Sequence, residues 1–325
     1  MDKIIFSKNS RIMPLTTLVE AYLTCHCGNQ NTWRAKRVDF EHFMSYLACG
    51  SRKSLLDLAH LTSASIRGFL QSKMDCGEAP STVNRRLATI KHFCACLSSD
   101  WRDFSDPAKS VSPCTIDNDH LGKTFTNGER DKIIDASRMI GSRGVIRERN
   151  HIIVMMLIGT GLRAQEILDI KAKQISKSFS SLAQVRCKGD RYRNVMMTNA
   201  LSDALQLYMP IRDEFLRKRI EELECQDLGE YPILISPKSG KRLGPDAYRL
   251  NYKSLWRIID LVGKIAEIPE LHPHLFRHDF AHRAMHASNN DLPFVQQLMG
   301  HASIQTTCRY ALAISEEKLN MIRKL

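Results

Sequence analysis

The stretch "GHASIQTTCRY" puts His301 and Tyr310 nine positions apart, with Arg309 beside the phenol. A tyrosine has an ordinary pKa of about 10, so near pH 7 it is a nucleophile only where fixed positive charge favours its ionised form. Candidate charge lies in three other stretches. In "GTGLRAQEILDI", Arg163 and Glu166 are three apart, which sets them on one helical face, with Ile167 and Ile170 anchoring the other side. In "HPHLFRHDFAHRA", His274 and Arg277 stand at i and i+3, a guanidinium fork and a proton relay within one turn, the makings of a phosphate clamp. Lys188 falls at the turn of a hairpin-like stretch. Each has a plain structural alternative: a surface ion pair, a polar helix start, a solvated lysine, a solvent-side tyrosine.

The elements that must position these residues are mostly helical. Leu15, Leu18, Val19, Tyr22 and Leu23 recur at helical spacing, as do Trp33, Phe40, Phe43, Met44 and Leu47. In "STVNRRLATIKHFCACL", Val83, Leu87, Ile90, Cys94 and Leu97 form a stripe behind a Ser/Thr cap, and the other face carries Arg85, Arg86 and Lys91. That face reads equally as a solvated one and as one laid on phosphates. From Ser98 to about Thr124 the chain turns rich in Pro, Ser and Asp without a sustained period, as an interdomain linker does. Thr126 with Glu129 has the spacing of a capping box at the start of a second helical region. Within it, "SSLAQVRCKGDRYRNVMMT" predicts a β-hairpin turning at Gly189-Asp190, and "YPILIS" is one further strand-like piece. At 325 residues, two domains are the better expectation: a helical one over 1–105, a linker over 106–123 and a second domain over 124–325.

The net charge of +12 favours a polyanionic partner, nucleic acid before an acidic membrane surface. The longest apolar run, around "IIVMMLI", is far short of the roughly 20 residues of a membrane span, and "MDKIIFSKNSR" does not read as a signal peptide. The ten cysteines scatter, and the close pairs Cys25/Cys27 and Cys94/Cys96 lack zinc-knuckle gaps. Reduced thiols, a cytoplasmic location and no structural metal are therefore expected.

Taken in order, Arg163, Lys188, His274 with Arg277, Gly300-His301 and Tyr310 resemble the signature of the tyrosine recombinase (phage integrase) family, in its simpler, Xer-like size class. The chain departs from the usual pattern at Cys187 before Lys188 and at Phe276, and neither change removes a functional group. The resemblance implies a mainly α fold with a small antiparallel β-sheet (an α+β catalytic domain) and a two-domain C-shaped clamp on DNA. The first domain would be a SAM-like core-binding domain touching DNA through Arg85, Arg86 and Lys91. It further implies that Arg163 and Arg277 neutralise the phosphate, that Glu166 supports the first arginine, that His274 and His301 are pocket histidines, that Lys188 protonates the leaving 5′ oxygen and that Tyr310 attacks. The implied partner is double-stranded DNA with short inverted repeats, bound by a homotetramer whose protomers need not associate in solution. No cofactor is implied. A type IB topoisomerase-like enzyme shares the pocket, and a DNA-binding regulator with a vestigial pocket is the non-enzymatic alternative. In the tail, Leu319, Ile322 and Leu325 repeat along a helix that the resemblance docks on a neighbouring protomer.

Overall fold

The computed structural model describes residues 13–49, 52–101, 103–115, 124–142, 144–187, 190–219, 227–237 and 244–300. The chain divides into two compact units, Met1–Asn118 and Asp119–Leu325.

The first unit is helical. Its helices are α1 (Leu15–His26), α2 (Gln30–Ala48), α3 (Ser63–Asp75) and α4 (Pro80–Asp100). The α1 stripe is buried in full, against Phe40 and Phe43 of α2, Phe69 of α3 and Phe93 of α4 in one core. Local signals open the helices: the Asn29 side chain accepts the Asn31 N–H before α2, and Thr62 and Ser65 form a reciprocal box before α3. Helix α4 starts differently from the Ser/Thr cap expected, with Pro80 in its first turn and Ala79 ahead of it. Proline has no N–H to leave unsatisfied there and its φ is already helical. Helix α4 also runs on past Ser98 to Asp100. Beyond it, Ala108 and Val111 are buried in the same core, and Asn84 both accepts the Cys114 N–H (2.7 Å) and donates to the Cys114 carbonyl (2.8 Å). Residues 106–115 of the expected linker are thus fixed to the first unit, because two small apolar side chains in a polar stretch find a core to enter.

The second unit contains α5 (Asn127–Met139), α6 (Val145–Thr160), α7 (Ala164–Leu168), β1 (Ser181–Cys187), β2 (Arg191–Met196), α8 (Asn199–Arg219), α9 (Tyr252–Ile265), α10 (Pro273–Ala287) and α11 (Leu292–Met299). Helix α6 is buried nearly all round, packing on α5, α8, α9 and α10. It is the axis of the unit, and truncating Leu157 there to Ala would cost about 2–5 kcal/mol. The capping box of α5 forms as its sequence predicts, with Glu129 N–H on the Thr126 hydroxyl and Thr126 N–H on Glu129. The hairpin is antiparallel, pairing Cys187 with Arg191 and Leu182 with Val195, with an irregularity between Leu182 and Val185. There Gln184 takes φ 51° and its N–H donates to the Asn194 side chain. "YPILIS" forms isolated bridges to Lys171 on one side and Arg249 on the other in place of a strand. The guanidinium of Arg212 in α8 holds it from below through the carbonyls of Pro232 and Tyr231. Helices α10 and α11 meet through Ala281, Met285, Val295 and Met299. Among the described residues, no helix is long and apolar enough to cross a membrane.

Candidate active site

Helix α6 ends at Gly161, whose φ of 61° is left-handed. A Cβ there would stand 2.3 Å from the Phe280 ring, so both the backbone and the space require glycine. The turn delivers Arg163 as N-cap of α7. Glu166, one turn on and buried, accepts the Arg163 backbone N–H (3.0 Å) and its Nη1 (2.7 Å). One carboxylate therefore both starts the helix and aims the guanidinium, which stays about one third exposed.

Arg277 lies in the first turns of α10, where Pro273 opens the helix. Its Nη1 donates to the carbonyl of Gly161 (2.6 Å) and its Nη2 to that of Met299 (2.8 Å). Carbonyl partners fix the plane of a guanidinium and leave its unit charge in place. The helix itself is held by Asp279, 1% exposed, which accepts the Phe125 N–H, Arg130 Nη1 and Arg283 Nε at 2.8–3.1 Å. Arg283 in turn reaches the Ile158 carbonyl of α6.

His274 stands at the surface one turn before Arg277. Loss of water lowers its pKa below the ordinary imidazole value, and His272, Arg277 and Arg163 lower it further. The bond from Arg277 to the Gly161 carbonyl brings this end of α10 to the turn that carries Arg163, and the direction of the shift favours the uncharged, proton-accepting imidazole. His272 lies beside it, ring centroids 6.4 Å apart, and stacks on Trp256 of α9 at 6.2 Å and 15°.

Residues 123–317 match the phage integrase family. The chain belongs to that family. Relatives include the tyrosine recombinase XerC of Roseiflexus sp. (strain RS-1), 27% identical over 299 residues that cover 90% of this chain and 88% of that one. The XerC of Myxococcus xanthus is 29% identical over 308 residues, covering 94% and 95%. Among solved structures, the XerH recombinase bound to a palindromic difH substrate aligns with a TM-score of 0.69 at 17% identity, over 94% of this chain and 83% of that one. A lambda integrase dimer bound to a COC′ core site aligns with a TM-score of 0.60 at 14% identity, over 91% and 76%. These two likenesses show the integrase fold, mainly helical with a small antiparallel sheet.

Of the residues that the integrase signature picks out, the structure gathers Arg163, Glu166, His274 and Arg277. Lys188, His301, Tyr310 and the tail after it lie outside the described residues. In the first unit Arg86 needs correction as a phosphate contact. It is 6% exposed, donates to both oxygens of Glu78 (2.8 and 3.1 Å) and lies 3.3 Å from Asp39. Asp39, itself buried, also takes Arg85 Nη1 (2.5 Å) and the Thr89 hydroxyl (2.9 Å). A buried carboxylate needs such partners, and α2 is tied to α4 by supplying them. Arg85 stays about half exposed and Lys91 partly so.

Two residues of the second unit escaped the reading of the sequence. Asp279 receives donors from Phe125, Arg130 and Arg283, of which only Arg283 is near it in sequence, so no local spacing marks it. Arg193 of β2 is 15% exposed and reaches both Glu166 and the carbonyl of Leu298.

Proposed function

We infer that this chain is a site-specific DNA recombinase that cuts and rejoins strands through a covalent phosphotyrosine. Double-stranded DNA is its partner. A phosphodiester resists attack because its charge repels nucleophiles and its alkoxide leaves reluctantly. Arg163 and Arg277 bind the non-bridging oxygens and neutralise the charge that builds on them. The Tyr310 oxygen attacks phosphorus while His274, neutral for the reason given above, accepts the phenolic proton. The bond from phosphorus to the 5′ oxygen breaks, Lys188 gives that oxygen its proton, and His301 adds a hydrogen bond to the phosphate. The resulting 3′-phosphotyrosine retains the energy of the broken bond, and a 5′ hydroxyl from another strand reverses the attack.

The observation that carries this reading is the bond from Arg277 to the carbonyl of Gly161, which brings the first turns of α10 to the turn that presents Arg163, far apart in sequence. The recombinase names of the full-length relatives favour rejoining to a new partner over relaxation of one duplex.

The active form is a homotetramer on short inverted repeats in the cytoplasm, its protomers joined by the tail after Tyr310. A groove of about 580 Å³ between α10 and α11, lined by Phe280, Ala284, Phe294 and Leu298 together with Arg283 and Asp291, supports a docking place for a helix edge that is apolar and flanked by charge.

The test is Tyr310→Phe on a nicked suicide substrate. The variant binds DNA as the parent does and gives no shifted covalent band in a denaturing gel. A band that persists in the variant moves the nucleophile elsewhere.

A further inference from the structure

Arg193 stands in the middle of β2, opposite Val185, on the hairpin whose turn carries Lys188. Its Nη1 donates to the carbonyl of Leu298 in the last turn of α11 (2.6 Å). Its Nη2 lies 3.9 Å from Oε2 of Glu166, the carboxylate that aims Arg163. Gly300 closes α11 in a left-handed conformation (φ 62°), and a Cβ at that position would stand 2.6 Å from Arg193 Nη1. Among the described residues, the buried Nε and Nη2 atoms find no hydrogen-bond partner. Leaving buried donors unsatisfied is costly, and a clip needed only to fasten a strand to a helix is made more cheaply by apolar side chains.

The three segments that meet on this guanidinium are the ones that carry motif residues: the Arg163–Glu166 turn, the Lys188 hairpin, and the Gly300 turn that leads into His301. We propose that Arg193 is a positioning residue for the reaction, one guanidinium that sets the first arginine, the hairpin and the entry to His301 in register with one another. The proposal rests on the reading of the pocket as a strand-cleaving one. Glycine at position 300 then has two causes, its left-handed backbone and the room that Arg193 occupies. A lysine at 193 can reach one of the two partners and not both, because it lacks the planar fork.

The experiment uses the full-length protein with Arg193→Lys and Arg193→Met, the second keeping much of the aliphatic stem. Single-turnover cleavage of a nicked site is expected to fall on the order of tenfold to a hundredfold in both, the scale of a misplaced reacting group. Binding to a half-site stays within about twofold, since the residue acts on the chemical step. In a cycle with His301→Ala, the losses are less than additive, because Arg193 acts partly through the placing of that histidine. Hydrogen exchange, read without DNA, is faster at residues 298–300 in Arg193→Met and unchanged in α1. Full cleavage by both variants, fully additive losses, or unchanged exchange at 298–300 would overturn the proposal. A parent protein that forms no covalent complex would sink the cleavage reading instead, and the exchange arm would still decide whether Arg193 sets the Gly300 turn.

Discussion

Arg86 in the first unit and Arg277 in the second are equally buried, each 6% exposed, and the bonds described for them differ in kind. Arg86 meets the carboxylates of Glu78 and Asp39, so its charge is spent on closing α2 against α4. Arg277 is gripped by the carbonyls of Gly161 and Met299, which orient the fork and bring no opposing charge of their own. On the proposed reading, two arginines of the same burial serve the fold in one unit and an anionic substrate in the other. Burial alone does not distinguish them, and the chemistry of the partners does.

The largest effect expected from this contrast is on Arg277. Arg277→Ala lowers single-turnover cleavage by about 10²–10³-fold or more, the usual loss when an oriented donor to developing charge is removed. Arg277→Lys recovers little, since an ammonium cannot span two carbonyls and a phosphate. Cleavage within tenfold of the parent in either variant would contradict a role for Arg277 at the phosphate.

Arg86→Ala moves the other quantity. It leaves Asp39 buried beside fewer cations, and breaking a buried pair costs about 3–5 kcal/mol. Urea melts of the variant should shift by that amount while cleavage per folded molecule holds. A variant as stable as the parent but deficient in DNA binding would return Arg86 to the DNA surface.

The two units should also part company in acid. His151 of α6 accepts or donates a bond with the Ser137 hydroxyl at 2.8 Å, and burial, helped by Arg138, lowers its pKa from 6.5 to about 4. Its folded form resists protonation, so the stability it contributes is complete above pH 6.5 and is lost as pH falls toward about 4. His42 and His92 of the first unit are lowered as well, by burial first, but by less than His151, and Glu78 of that unit behaves otherwise. Burial pushes its pKa up, but the hydrogen bond and charge of Arg86 outweigh this and hold it below 4.5. Its contribution is present above pH 4.5 and goes only as pH falls through the lower folded value. Tryptic or exchange mapping between pH 6.5 and 4 should show the second unit loosening first, and His151→Asn should narrow the gap. Simultaneous loosening would set the contrast aside.

What could be read from the sequence was what the chain makes locally. The Thr126–Glu129 box, the Arg163–Glu166 pair, the hairpin and the α1 stripe each lie within a few residues, and their spacing carries the geometry. The partners of the buried charges do not. Arg193 finds Leu298 across 105 positions, Arg130 finds Asp279 across 149, and Arg86 finds Asp39 across 47. Charge on a helix face looks the same in sequence whether it meets water, phosphate or a distant carboxylate, which is why Arg86 was read as surface. The same limit hid Asp279, whose role is to receive donors from α5 and from its own helix.

The smallest effect is on salt dependence. Lys91→Ala should lower the slope of log binding constant against log salt by roughly one unit, as one lost phosphate contact does. Arg85→Ala should lower it by less, because Asp39 already claims part of that charge. Equal slopes for the Lys91 variant and the parent would leave α4 without a role on DNA.

On the proposed reading, Tyr310 becomes covalently joined to DNA with arginines in place of metal ions. This is tested most directly by incubating the full-length protein with a nicked suicide substrate in excess EDTA, digesting the trapped complex and sequencing the adducted peptide by mass spectrometry. The expected product is a nucleotide 3′-phosphate on Tyr310, formed at the same rate with and without EDTA. An adduct on another residue, or cleavage that stops in EDTA and returns with magnesium, would contradict it.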